Sequence, residues 1–352
     1  MTYQNTLNVL FNLKKTIPNY SCDTEKNLIA VIGGLDSETS LHMANFLSIY
    51  KIPQVTYCFF AALMNEKTEF PFVYQMVPNE AQQYNGIVHL FLHFQWKWIG
   101  IIALDDEKGD RFVQNLLPLL SQNGMCSAFI DRLPFVTSTD NMIEIFYLSR
   151  PRESMALFLT NTKVNVFVLN ADTFTILMLK WFLYLAQTED LTEAVMGKVW
   201  VMTAQWEFSS HIYYRNLDID FFHGALSFTL NSNEVFGFQN FLQVLNFHWP
   251  KGDGFIRVFW EQAFGCLWPG TKLGKELIDI CTGEEKLESL PGIFFEMSMT
   301  AQSYSIYNAV HAIAQALHAR YSAIENHRTV TGDRGSLEPP HQQPWQVTAC
   351  IS

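Results

Sequence analysis

The segment with the clearest capacity for chemistry spans residues 33–40, with the sequence Gly-Gly-Leu-Asp-Ser-Glu-Thr-Ser. It follows an apolar run, and its composition is typical of a strand end, a glycine turn and a helix start. Free backbone N–H groups and the positive end of the helix dipole can bind an anionic group there, such as a carboxylate. Capping of the helix by Asp36 or Ser37 explains the same residues. The motif therefore leaves an anion site and an ordinary helix start open.

Other groups point less clearly to a reaction. The acidic cluster at residues 105–107 could bind a cation or be a solvated loop after a strand. Three histidines lie within helical patterns, which favours surface or hydrogen-bonded core positions for them (His42, His93 and His311). The sequence contains no G-x-S-x-G, P-loop, H-E-x-x-H or G-x-G-x-x-G motif. We therefore expect no enzyme and no catalytic residue.

The amino-acid composition limits which binding partners the chain can have. The chain has 352 residues, of which 49% are hydrophobic, so it must fold around large cores. Its net charge of −11, from 23 basic and 34 acidic residues, argues against nucleic acid as a partner. The six cysteines are scattered and form no C-x₂-C pair. We expect no metal site and no cofactor.

Targeting signals are weak in the sequence. Residues 1–15 lack the basic start and the cleavage site of a signal peptide. The longest apolar helical stretch, residues 174–186, contains Lys180 and is too short to cross a membrane. Taken alone, these features predict a soluble globular unit. Asn19 begins an Asn-Tyr-Ser glycosylation motif beside Cys22, which points instead to a secretory product.

The elements that must position these residues alternate along the chain. Apolar runs predict strands at residues 27–33, 54–60, 98–104, 164–169 and 198–203. Helical spacing predicts helices at residues 37–50, 80–95, 112–122, 173–186, 237–245, 255–264 and 301–321, with Gly124 ending the third of them. Residues 327–344 are rich in Gly, Pro and Gln and predict a flexible loop. Buried strands separated by helices indicate an α/β fold with doubly wound, mostly parallel sheets in two lobes.

Several blocks of the sequence carry a resemblance to a known family. In chain order they are VIGG (31–34), SLHMAN (40–45), YKIPQVTY (50–57), VPNE (77–80), FQWKWIG (94–100), KVWV (198–201), CTGE (281–284) and SYSIYNAV (303–310). Together they resemble the ectodomains of class C G-protein-coupled receptors, and vomeronasal type-2 receptors in particular. The resemblance covers residues 17–347.

The resemblance implies a two-lobe Venus flytrap similar to type I periplasmic binding proteins. Lobe 1 would comprise residues 19–77 and 231–347, and lobe 2 residues 78–230. Residues 1–18 form an atypical N-terminal segment and residues 348–352 a tail outside the family pattern. The first strand and helix of lobe 1 and the last hinge crossing are missing from the pattern, so we expect a module incomplete at both ends. Ligand binding in the cleft would drive lobe closure.

Ligand-binding residues follow from the same resemblance. In amino-acid-binding relatives the α-carboxylate site maps to Ser37, with Glu38 and Thr39 beside it. The small or hydroxyl positions after the next strand map to Cys58 and Phe60.

On the lobe 2 side, the acid that several relatives use maps near Ala204, which carries no charge. Glu80 keeps an acidic group near the hinge. Aromatic side chains would line the remaining cleft and suit a larger, partly apolar ligand (Phe59, Phe60 and Trp206).

The resemblance also implies a disulfide between Cys266 and Cys281. Cys126 matches a cysteine that pairs with a Cys-rich segment in the family, so we expect it to be unpaired here. Helix residues Phe46, Ile49 and Tyr50 match the dimer contact of such receptors, although core packing explains their apolar character as well.

We therefore expect the extracellular ligand-binding domain of a pheromone or chemosensory receptor. Its ligand would be a peptide or small-molecule chemosignal, and its receptor a homodimer or heterodimer at the plasma membrane. A G protein would couple only through a membrane domain outside this sequence. Two alternatives remain: an amino-acid or Ca²⁺ sensor, and a truncated, non-signalling product or decoy.

Overall fold

The structure is a computed structural model. It describes residues 6, 28–34, 37–57, 68–134, 164–171, 175, 176, 179, 197–204, 222, 224–245, 254–269, 279–290 and 295–331. The chain divides into two compact units. Unit 1 comprises Met1–Gln82, Leu230–Ser232 and Thr300–Ser352, and unit 2 comprises Gln83–Thr229 and Asn233–Met299.

Unit 1 contains a three-stranded parallel sheet. Its strands β1 (Val31–Ile32), β2 (Gln54–Thr56) and β3 (Val73–Gln75) are neighbours in that order. Helix α1 (Ser37–Ile49) connects β1 to β2, as predicted, and buries Ala44 with Phe70 and Val73. Strand β1 is shorter than predicted, because only Val31 and Ile32 pair with β2.

Unit 2 contains a five-stranded sheet in the order β5-β4-β6-β7-β8, with every neighbouring pair parallel. Its strands are β4 (Trp98–Leu104), β5 (Cys126–Leu133), β6 (Val166–Asn170), β7 (Val199–Met202) and β8 (Leu226–Ser227). Helices α2 (Glu80–His93) and α3 (Glu107–Gln122) pack on one face, where Phe91 and Leu116 meet Ile101 and Val168. These near-continuously buried strands confirm the α/β prediction.

Aromatic rings cover the other face of this sheet. The ring centroids of Phe129 and Phe167 are 5.9 Å apart, those of Phe167 and Trp200 5.0 Å, and those of Trp200 and Phe222 5.1 Å. Gly100 pairs with both phenylalanines in the ladder. A Cβ atom on Gly100 would lie 2.8 Å from each ring, so the row depends on this glycine.

Both ends of α3 have well-defined caps. The Asp106 carboxylate accepts a 2.8 Å hydrogen bond from the Gly109 N–H, which begins the helix five residues earlier than predicted. At the other end, Gly124 has a φ of 70°, and its N–H donates to the Ser121 carbonyl. The Met125 N–H donates to the Leu120 carbonyl. This is a Schellman motif, and it confirms Gly124 as the helix end.

The later part of unit 2 is built around a disulfide. Helices α4 (Phe238–Val244) and α5 (Gly254–Phe264) precede the short parallel strands β9 (Cys266–Leu267) and β10 (Asp279–Ile280), and a 3₁₀ helix follows (Leu287–Ser289). The predicted bond between Cys266 and Cys281 is present, with the two Cα atoms 5.1 Å apart. The resemblance assigns these residues to lobe 1, whereas by contact residues 233–299 group with unit 2. The lobe boundaries stay a prediction.

The last described element is α6 (Ala301–Thr331) in unit 1, which lies beside β1 and buries Ala309 and Ala316. It continues ten residues beyond the predicted end. The predicted loop at residues 327–344 is therefore wrong for residues 327–331, which are helical. Residues such as Glu325 and Arg328 have a high intrinsic helix propensity, so the helix continues despite the polar composition. Residues 332–344 lie outside the described part.

Candidate functional site

The carboxyl edge of the unit 1 sheet contains the predicted anion-binding turn. Ser37, Glu38 and Thr39 form the first turn of α1, which begins three residues after Gly34; Leu35 and Asp36 lie outside the described residues. Gly34 has a φ of 100°, a conformation that glycine adopts readily. The described backbone therefore has the predicted strand and helix start. The side chains of Ser37 and Glu38 lie outside the described residues, and Thr39 is half-buried.

Fully buried polar side chains support this turn from below. Ser40 Oγ lies 3.5 Å from Thr56 Oγ1, which is also 3.5 Å from the Gly34 carbonyl oxygen. The Gln54 amide donates to the Ser40 carbonyl at 3.3 Å. These contacts fix the start of α1 against the end of β2.

The carboxyl edge of the unit 2 sheet carries a second polar set. Asn170 ends β6, and Thr203 and Ala204 directly follow β7. The Ala204 N–H donates a 2.9 Å hydrogen bond to Gln83 Oε1 from the first turn of α2. Asn170, Thr203 and Gln83 are all buried.

The strand order places a topological switch point at this edge. Strand β4 has β5 on one side and β6 on the other, so chain connections leave it in both directions. Ligands of open parallel sheets bind outside the carboxyl ends of the strands at such a switch point. Here Asp105 and Asp106 follow β4, and Asn170 and Ala171 end and follow β6.

The acidic cluster after β4 serves a structural purpose. Asp106 caps α3, and Asp110 in the next turn forms a 2.7 Å ion pair with Arg132 of β5. The Arg132 guanidinium also donates to the Leu104 carbonyl at 3.0 Å. Within the described ranges, no group of three or more His, Cys, Asp or Glu side chains could hold a metal ion.

The remaining predicted residues are distributed as follows. Glu80 is 8% exposed in the first turn of α2, where the preceding Asn79 side chain accepts a hydrogen bond from the Ala81 N–H. Near the end of α1, Ile49 is 71% exposed, while Phe46 and Tyr50 are half-buried. Cys126 is a free, exposed cysteine, as expected. Five predicted positions lie outside the described residues (Asn19, Cys58, Phe59, Phe60 and Trp206).

Two charged groups in the described part of unit 2 have altered pKa values. Burial lowers the pKa of Lys198, whose ammonium donates to the Val164 carbonyl at 2.7 Å and lies 5.9 Å from the centre of the Phe167 ring. Partial burial alone would raise the pKa of Glu285. Hydrogen bonds from the Thr282 backbone, the Trp260 indole and the Thr282 hydroxyl outweigh it and lower that pKa to about 2. The hydrogen bonds to the Glu285 carboxylate stabilise the local fold, whereas burial of Lys198 disfavours its charged form.

Sequence reasoning missed Asn170, Thr203 and Gln83. The first two carry a recognisable signal, because each is a polar residue at the carboxyl end of an apolar strand. Gln83 carries none, since its role depends on the contact between α2 and the end of β7.

Parallel sheets with polar carboxyl edges and alternating helices define an α/β ligand-binding protein of the periplasmic-binding-protein type. Residues 2–347 match the model of the receptor family ligand binding region, and the chain belongs to this family. Its fold is accordingly that of a Venus flytrap with two parallel-sheet lobes.

Similarity to individual receptors supports the same assignment. The chain is 31% identical to vomeronasal type-2 receptor 26 of Mus musculus over 94% of its length and 36% of that receptor. It is 25% identical to the extracellular calcium-sensing receptor of Bos taurus, over 91% of this chain and 30% of the relative. It is also 25% identical to taste receptor type 1 member 2 of Papio hamadryas, over 94% of this chain and 35% of that receptor.

The predicted resemblance to class C receptors is thereby confirmed. These relatives are receptors, not enzymes. The chain spans about a third of the length of the three relatives. None of the helices in the described ranges combines the length and apolar character that a membrane crossing needs.

Proposed function

We propose that this chain is the extracellular ligand-binding domain of a chemosensory receptor similar to vomeronasal type-2 receptors. The observation that carries the proposal is the 31% identity to vomeronasal type-2 receptor 26 over 94% of the chain, above the 25% identity to the calcium-sensing receptor. The ligand is a peptide or small-molecule chemosignal. The domain works on the outer side of the plasma membrane, and a membrane domain outside this chain couples it to a G protein.

The ligand binds at the carboxyl edges of the two lobes. In lobe 1 (residues 19–77 and 231–347) the turn at Ser37 to Thr39 takes its anionic or polar end, with Cys58, Phe59 and Phe60 beside it. In lobe 2 (residues 78–230) the positions are Glu80, Ala204 and Trp206. A ligand that contacts both lobes stabilises the closed state over the open one, which shifts the population toward closure.

Binding and closure can be measured separately on the recombinant chain, secreted so that its disulfide forms. Isothermal titration with a defined peptide pool, the L-amino acids and CaCl₂ identifies the ligand class. Small-angle X-ray scattering then measures the radius of gyration, which should fall when a ligand binds. Heat from peptides with a smaller radius of gyration supports the proposal, and binding without compaction argues against ligand-driven closure.

A second function, sensing of amino acids or Ca²⁺, is favoured by the similarity to extracellular calcium-sensing receptors. It predicts heat from amino acids or CaCl₂ and none from peptides. The neutral Ala204 makes this reading weaker for amino acids, because an ammonium group would lack a charge-assisted hydrogen bond worth about 1.5–3 kcal/mol there.

We also propose that the receptor dimerises through α1, with Phe46, Ile49 and Tyr50 at the contact. The exposure of Ile49 supports this surface, because a large apolar side chain that is 71% exposed gains from burial against a partner.

A further inference from the structure

Thr203 carries a buried hydroxyl group at the end of β7. Thr203 is 1% exposed, and within the described residues its Oγ1 atom has no hydrogen bond. The two neighbouring backbone N–H groups are hydrogen-bonded elsewhere. The Thr203 N–H donates to the Leu169 carbonyl at 3.2 Å, and the Ala204 N–H donates to Gln83 Oε1 at 2.9 Å. The backbone therefore fixes the hydroxyl at the end of β7 and leaves it unused.

An unused buried hydroxyl is unfavourable for the ligand-free protein. Valine has nearly the same shape and lacks the group that loses its hydrogen bonds to water on burial. Threonine at this position therefore makes the ligand-free fold less stable than valine would. A ligand that supplies an acceptor recovers this free energy on binding.

The surroundings of Thr203 indicate which acceptor fits. The buried polar side chains that the structure describes in unit 2 are uncharged (Gln83, Asn170, Thr175 and Thr203), and the buried carboxylate of Glu80 lies in the same first turn of α2 as Gln83. A carboxylate group of a ligand would therefore lose its hydration there without gaining an opposite charge. An amide carbonyl costs less to bury and accepts a hydrogen bond from a hydroxyl.

Resting on the proposed function, we propose that Thr203 is a specificity-determining residue whose hydroxyl donates a hydrogen bond to an uncharged amide carbonyl of a peptide ligand. The hydroxyl is covered in the ligand-free chain, and the carbonyl reaches it as the site rearranges during lobe closure. Thr203 thereby binds the peptide main chain and not a terminal carboxylate.

The test compares Thr203→Val, which removes the hydroxyl at constant shape, with Thr203→Ser, which keeps it. The probes are a pool of N-acetylated, C-amidated tripeptides, resolved to one tight binder, and the same tripeptides with free termini. Isothermal titration measures the dissociation constant, and thermal unfolding without peptide measures the ligand-free stability.

We expect the wild type to bind the capped peptide at least as well as the free one. Thr203→Val should bind it about five- to tenfold more weakly, with an equal or higher unfolding temperature in the absence of peptide. Thr203→Ser should stay within about twofold of the wild type.

Two results would overturn the inference alone: equal peptide affinity of Thr203→Val and the wild type, or a lower ligand-free unfolding temperature for Thr203→Val. The second would show that the hydroxyl supports the fold. Failure of both peptide pools to bind the wild type is a different result, because it removes the proposed peptide function itself.

Discussion

The indole N–H of Trp260 donates a 2.8 Å hydrogen bond to the Glu285 carboxylate. The same carboxylate accepts hydrogen bonds from the Thr282 N–H at 2.6 Å and the Gly283 N–H at 2.8 Å. Trp260 belongs to α5, and the turn at residues 282–285 directly follows the disulfide at Cys281. The Glu285 side chain thus connects the turn after the disulfide to Trp260 of α5 by hydrogen bonds.

Removal of this carboxylate should make the free energy of unfolding change less with pH in the acid range. The pKa of Glu285 is lowered from 4.5 to about 2 in the folded chain, so its contribution is full above about pH 4.5 and is lost as the pH falls towards 2. Glu285→Gln should cost about 1–2 kcal/mol at pH 6, because one of the two accepting oxygens becomes an NH₂ group, which cannot accept the hydrogen bonds of the facing N–H or O–H donors. Urea unfolding at pH 6, 4 and 2.5 measures this difference.

The control for this prediction is Glu284→Gln, since Glu284 is exposed and lies next in the chain. It should change the urea midpoint little at any pH. A constant gap between wild type and Glu285→Gln from pH 6 to pH 2.5 would contradict the role of the charged carboxylate.

Reduction of the Cys266–Cys281 bond should destabilise unit 2. The bond joins residues 15 apart in sequence, for which loop-closure entropy corresponds to about 3 kcal/mol. The double variant Cys266→Ala, Cys281→Ala should therefore unfold at lower urea concentration.

Cys126→Ala is the matched control, because Cys126 is exposed and not disulfide-bonded. It should keep the wild-type midpoint and lose one site of rapid maleimide labelling in the native state. If the double variant and Cys126→Ala had the same midpoint, the disulfide would contribute nothing to stability.

Gly109→Ala should weaken the fold, although this exchange usually stabilises a helix. A Cβ atom at position 109 would lie 1.9 Å from the Leu104 carbonyl oxygen, and this backbone atom cannot move away without disturbing β4. We expect a loss of about 2 kcal/mol or more.

Gly124→Ala provides the comparison. The space around Gly124 is open, and its positive φ of 70° alone should cost about 1–2 kcal/mol. Chemical denaturation should give Gly109→Ala a lower free energy of unfolding than Gly124→Ala. A stabilising Gly109→Ala would contradict the close approach of α3 to the end of β4.

Ile49→Asp should weaken dimerisation without affecting the fold. Ile49 is 71% exposed, so the change should alter the free energy of unfolding by less than about 0.5 kcal/mol. Ile280→Asp is the matched control, since Ile280 is 66% exposed in unit 2. Sedimentation equilibrium should show a weaker dimer for Ile49→Asp alone, and equal dimer constants for both variants would argue against α1 as the contact.

The elements that the sequence predicts best are those that bury a continuous apolar run. Strand β4 (Trp98–Leu104) and helix α1 (Ser37–Ile49) follow the predicted residues closely, because six of the seven residues of β4 are buried and the apolar residues of α1 recur at helical spacing. Strand β5 (Cys126–Leu133) was not predicted. It lies at the edge of its sheet and fully buries only Leu133, so its residues show no apolar run.

A sequence pattern can indicate only the part of the candidate site that lies within one continuous segment. The turn at Ser37 to Thr39 is local, and the strand and glycines before it indicate a helix start. The hydrogen bond between Gln83 and Ala204 joins residues 121 apart in sequence, and no local pattern predicts such a contact. The acidic cluster at residues 105–107 left two interpretations open for a related reason, since a structural carboxylate after a strand and a cation ligand have the same sequence signature.

Gly100 has a consequence for relatives that are still to be sequenced. The glycine and the two rings beside it, Phe129 and Phe167, share one limited volume, so a change at one of the three constrains the other two. A natural variant with alanine at position 100 should carry a smaller side chain at position 129 or 167. These three positions are therefore expected to covary, although they lie on three separate strands.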